Sequence, residues 1–120
     1  MSKVYHDKDF PHTLLKESER RFPDDFVEVA EVASDELSEI YALTNHIDQD
    51  WTLNEGVRKT SEGPVRSTSM GDVVVLSDGT VHLCCTVGWK AVGKADDAPL
   101  AFASGGLKFS LSPSQEPSNE

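Results

Sequence analysis

The sequence predicts an α+β fold, a small antiparallel sheet of three to four strands with one main helix packed on it. Three observations carry that expectation. Two runs rich in β-branched residues, "GDVVVL" and "TVHLCCTV", flank Ser77-Asp78-Gly79-Thr80, and Asp-Gly between such runs is the strongest short-range hairpin signal, for a tight primed turn with positive φ. Leu37, Ile40, Tyr41 and Thr44 recur at helical spacing, one apolar stripe behind Ser34 as N-cap, with Asp35 and Glu36 beside the positive end of the helix dipole. "FVEVAEVA" at 26–33 sets Val27 and Val29 against Glu28 as a half-buried strand does, although Ala30 and Val32 blur the alternation.

The elements follow in chain order. "KVYH" reads as a short strand. Residues 12–21, "HTLLKESERR", suit a short helix with Leu14 and Leu15 inward, bracketed by Pro11 and Pro23. The strand 26–33 leads into a helix over about 35–45, ended by "NHIDQDW". Ser67, Thr68, Ser69 and Gly71 form a turn ahead of the hairpin, and Arg66 pairs with Asp72 across it. Strands 72–76 and 81–87 pair antiparallel, and Gly88-Trp89 supplies a bend and a large apolar anchor. "SLSPSQEPSNE" has almost nothing to bury, so residues 111–120 are expected as a disordered tail. One domain spans 1–110, with 1–23 an N-terminal arm or short helix, and a chain of 120 residues suffices for one modest core.

The charge is unevenly placed. The net charge is −10, from 21 acids and 11 bases. From Phe22 to Val57 there is no Lys or Arg, while Asp24, Asp25, Glu28, Glu31, Asp35, Glu36, Glu39, Asp48, Asp50 and Glu55 all fall there. That segment alone supplies the whole net charge, and the remaining eleven acids balance the eleven bases. A one-sign field of this kind steers a basic partner over about 8–10 Å; the plainer reading is a solvated face that keeps a small protein soluble. Direct nucleic-acid binding is disfavoured, because there is no basic footprint. A salt-adapted surface is also disfavoured, since Lys (seven) outnumbers Arg (four). No apolar run approaches the roughly 20 residues that span a bilayer, and "MSKVYHDKDF" lacks the apolar core of a signal peptide. The expectation is a protein of the host cytoplasm, with no membrane partner.

The stretch "RSTSMGDVVVLSDGTVHLCCTVGW", with "IYALTNHIDQDW" upstream, resembles small proteins encoded by phages, plasmids and other mobile elements. It is similar to YodL-like domains and to modules of large polyvalent mobile-element proteins. Arg66, Ser67, Ser69, Gly71, Asp72, Gly88 and Trp89 match that pattern, and Met70 stands where Val is usual. The resemblance covers about 34–92 and implies a mobile-element context rather than an activity.

Reactive chemistry is sparse. A phosphate loop needs a Gly-rich turn entering a helix, usually with Lys, whereas here the glycine enters a strand. His46, Asp48 and Asp50 alternate and in an extended segment offer a hard metal site, but His82, Cys84, His6 and His12 add no metal-ligand spacing. His82 and Cys84 are two apart on a strand, the spacing of a thiol nucleophile with a base. Cys84 and Cys85 are adjacent, so in a strand they face opposite ways as two reduced thiols. The expected function is therefore a non-enzymatic, cofactor-free interaction protein that mimics DNA charge to inhibit a nucleic-acid-binding defence complex, of anti-CRISPR or anti-restriction type, using the acids of 24–55. The alternative is a YodL-like docking module for a host regulatory or cytoskeletal protein, built on the Arg66–Asp72 turn with Trp51, Trp89 or Phe102 as apolar hot spots. A third reading is a metal- or thiol-dependent enzyme using His46, Asp48, Asp50, His82 and Cys84. A homodimer would cover exposed sheet edges.

Overall fold

The computed structural model describes residues 1–46 and 49–105, without the side chain of Leu14. The class is α+β, but the main sheet has six strands. They are β1 (Ser2–Asp7), β3 (Phe26–Val32), β4 (Val57–Lys59), β5 (Val73–Val75), β6 (Thr80–Cys84) and β7 (Trp89–Lys94), in the antiparallel order β4-β3-β1-β5-β6-β7. A separate two-stranded ribbon pairs β2 (Ser18–Phe22) with β8 (Leu100–Ser104). The helices are α1 (His12–Leu15) and α2 (Leu37–Thr44).

The sheet is larger than expected because β4, only three residues long, and β7 were not read as strands, and because β1 is longer than its local signal. "KVYH" grows into β1, which holds the centre of the sheet between β3 and β5. Val4 pairs with Ala30 on one side and Val74 on the other. Residues 89–94, read only as a bend and an anchor, continue the hairpin into a third strand.

The expected helix 12–21 stops at Leu15, which is 70% exposed rather than inward. Ser18–Phe22 instead alternates Arg20 and Phe22 inward with Glu19 and Arg21 outward and pairs with β8. Phe22 packs edge-on against Tyr5 and 6.1 Å from Phe26, a burial that a helix at this position would forgo.

Both faces of the sheet are covered. On one, α2 and the turn at Trp51–Leu53 lay Ile40 and Trp51 over Val4, Val32 and Val74. On the other, the ribbon lays Phe22, Leu100 and Phe102 over Val73, Val81 and Leu83. The blurred alternation of β3 is a β-bulge, because Val4 faces Ala30 while the next residue, Tyr5, faces Glu28. Val29 is the extra residue, and it lets Ala30 and Val32 point at the helix.

Boundaries also moved. α2 begins at Leu37 with Glu36 as N-cap; Ser34 lies two residues earlier, where its Oγ accepts from the Glu36 N–H and donates to Glu39. Tyr41 turns away from the core stripe to meet Trp89 edge-on. The hairpin strands end at Val75 and Cys84 rather than 76 and 87. Its turn is a three-residue loop: Gly79 N–H bonds Leu76 O, Leu76 N–H bonds Thr80 O, and only Gly79 needs the left-handed region, at φ +88°. The expected tail 111–120 lies outside the described residues.

Candidate functional site

The base-free segment does not fold into one acidic surface. Glu28 and Glu31 stand opposite Tyr5 and Lys3 on the ribbon face, whereas α2 covers the other face. Glu28 lies 3.9 Å from Lys3, and Glu31 is paired with Arg58 from the neighbouring strand, so bases from outside the segment offset both. Asp25 accepts the Arg21 N–H in the turn before β3, and Asp24 is exposed beside it. These two lie at the far end of a seven-residue strand from Asp35, about 20 Å away and beyond the screening length. Asp50 caps the Trp51 turn, accepting from the Thr52 N–H and hydroxyl, and those bonds hold its carboxyl below the usual range. Asp48 lies outside the described residues.

What the fold does assemble is an acidic end. Asp35 accepts from Ser2 Oγ, Ser77 N–H and Ser77 Oγ at 2.8–3.0 Å. The Ser77 bonds, backbone first, lower its pKa to about 2. Asp78 follows in the hairpin turn, where the Thr80 hydroxyl and N–H bonds, with the charge of Lys94, hold its carboxyl down while desolvation and the charge of Asp35 oppose them. Glu36, the N-cap of α2, and Glu39, in its first turn, are exposed. Glu55 adjoins Gly56, whose carbonyl takes the Ala33 N–H at the same end. Asp78 comes from outside the base-free segment, so tertiary structure has exchanged one set of acids for another.

The sequence motif builds a different kind of site. The expected Arg66–Asp72 pair forms, with Nη1 to Oδ2 and Nη2 to Oδ1 both at 2.7 Å. Asp72 is fully buried and also accepts the Asp7 and Ser69 N–H groups at 2.9 and 2.7 Å, so loop 66–72 wraps around its own carboxylate. Gly71 turns the chain at φ +97° and donates to Cys84 O; Ser67 Oγ ties the loop to His46 O, and Trp51 Nε1 donates to Arg66 O at 2.9 Å. Gly88 closes the next turn by accepting the Cys85 N–H.

Sequence reasoning missed the rest of this network. His6 sits 3.0 Å from Thr68 Oγ1 and 3.8 Å from Asp72. Burial pushes its pKa down to about 4, with Arg66 assisting and Asp72 opposing, so the imidazole is neutral at pH 7. Asp7, also buried, is clasped by Arg20. The partners are separated by 13 to 65 positions, too far for any local pattern to show. The guanidinium of Arg66 lies 3.8 Å over the Phe10 ring. With Val65, that pair forms a ridge between two clefts of about 390 and 500 Å³.

Only one of the two thiol residues lies on a strand, because β6 ends at Cys84. Cys84 pairs with Trp89, whereas Cys85 packs with the ribbon-side core. Burial raises Cys84 to about 12 and also raises Cys85, so neither is a ready nucleophile at neutral pH. His82 lies 3.1 Å from the Thr80 hydroxyl, its partner in place of a thiol. Trp51 is fully buried and so unavailable as a hot spot, while Trp89 and Phe102 are half-buried. No helix among the described residues is long and apolar enough to cross a membrane. No protein-family profile, curated protein or solved structure matches the chain.

Proposed function

We propose that the protein is a non-enzymatic interaction protein of a phage or other mobile element. It engages a basic, nucleic-acid-binding host complex through the acidic end formed by Asp35, Glu36, Glu39, Glu55 and Asp78. The supporting observation is the fixed placement of Asp35: three hydrogen bonds hold an exposed carboxylate ionised beside Asp78. Such preorganised charge stands in for phosphate at little ordering cost and competes for the Lys and Arg that hold DNA. Among the described residues, the remaining acids of the segment are offset, local caps or remote, which narrows the surface from the ten expected.

The test is capture from host lysate with stepwise salt elution, followed by the triple reversal Glu36→Lys, Glu39→Lys, Asp78→Lys. Recovery of a nucleic-acid-binding complex that leaves at moderate salt, and its loss from the reversed variant, are the expected results. Equal recovery by both proteins defeats the proposal. A second reading, docking through apolar contact, is favoured by Tyr41 and Trp89 meeting edge-on beside exposed Val87; a partner lost on Trp89→Ala but retained in high salt would establish it.

A further inference from the structure

The cleft of about 390 Å³ beside the Arg66–Phe10 ridge is open to solvent and sets an apolar wall against hydrogen-bonding side chains. Its apolar walls are Val27, Val29, Phe10, Pro64 and Val65, and polar side chains, His6, Asp7 and Glu62 among them, make up the rest of the lining. Val27 is 43% exposed there, because the eight-residue α2 is only about 12 Å long and leaves this corner of the sheet uncovered. A cleft of this size that sets convergent polar groups and a perturbed histidine beside an apolar wall is where ligand sites form.

Two of those polar groups have donors to spare. Arg66 spends the end of its guanidinium on Asp72 through Nη1 and Nη2, and a further Nη1 proton on Ser67 O. Its Nε–H and second Nη2 proton have no acceptor among the described residues. Those two hydrogens form the side edge of the guanidinium, a planar fork that matches a carboxylate. Phe10 beneath the ring plane and Asp72 at its end fix the orientation of that fork in advance. Ser61 Oγ, also in the cleft lining, is shielded from solvent and has no partner among the described residues. Lys8 stands on the rim.

We propose that this cleft binds a small monocarboxylate with an apolar body. The carboxylate takes the side fork of Arg66 and the Ser61 hydroxyl, and the apolar body lies on Val27, Val29 and Val65. The site shares no residue with the acidic end and stands or falls separately from it.

Phenylacetate and its neutral counterpart phenylacetamide distinguish this from adventitious apolar binding, in an NMR titration of the assigned valine methyls. Phenylacetate is expected to move the Val27, Val29 and Val65 methyls saturably at about millimolar concentration, as suits so small a ligand, with the amide roughly tenfold weaker or more. Val27→Trp, which fills the cleft from an exposed position, should abolish the response, and Ser61→Ala should weaken it several-fold in a folded protein. Equal binding of acid and amide, unchanged binding by Val27→Trp, or no saturable shift at all overturns the proposal. Arg66→Ala is not the deciding variant, because it leaves Asp72 buried without its cation.

Discussion

Two carboxylates set the two candidate regions apart. Asp35, at the acidic end, accepts three hydrogen bonds in the open. Asp72, in the loop network, accepts two bonds from Arg66 and one each from the backbones of Asp7 and Ser69, with no exposure at all. Solvent can replace most of what Asp35 receives, so its bonds set where a charge stands more than how stable the protein is. Nothing can replace what Asp72 receives, since its loss leaves a guanidinium and two N–H groups unmatched around a void. One region is therefore free to change for binding, whereas the other is committed to holding the loop on the sheet.

The largest expected effect follows from that asymmetry. Asp72→Ala should cost about 3–5 kcal/mol in urea unfolding, as removal of one partner from a buried pair does. A loss under about 1 kcal/mol would show that water enters the loop freely and would erase the contrast with Asp35.

The next effect is one of pH. His6 titrates near 4 in the fold but near 6.5 unfolded. Between those values the unfolded chain binds a proton that the folded one refuses, so stability is full above about 6.5 and falls as pH drops toward 4. The slope approaches about 1.4 kcal/mol per pH unit. Urea unfolding at pH 7, 5.5 and 4.5 measures it, and His6→Gln should flatten the profile. A profile unchanged by that substitution would mean that the carboxylates, not the imidazole, govern acid sensitivity.

The smallest effect belongs to Asp35→Asn. It should leave the urea midpoint nearly unmoved while weakening the salt-sensitive capture of a basic partner. A large fall in midpoint would instead assign Asp35 to the fold, joining the β5–β6 turn to β1.

The same contrast shows what could be read in advance. The hairpin, α2 and the Arg66–Asp72 pair were legible because each rests on neighbours within a few positions: Asp-Gly in a turn, apolar spacing of three and four, a cation six residues from its anion. The strands 18–22 and 100–104 were not, because their alternation acquires meaning only when each finds the other across 78 to 86 positions of chain. The acid-rich segment misled in the opposite direction. Its charges adjoin in sequence, but a strand and a helix that follow one another in the chain place them on opposite faces of the sheet, where Lys3 and Arg58 meet two of them.

By itself the sequence determined the α+β class, the β5–β6 hairpin with its loop motif, and the net charge. All of these depend on local backbone preference or on a sum that folding leaves unchanged. Tertiary structure alone decided the six-stranded breadth of the sheet, the ribbon across its back, the burial of His6 and Asp7, and which carboxylates share a surface. Those depend on distances between residues far apart in the chain, and burial and Coulomb interaction act on distance in space.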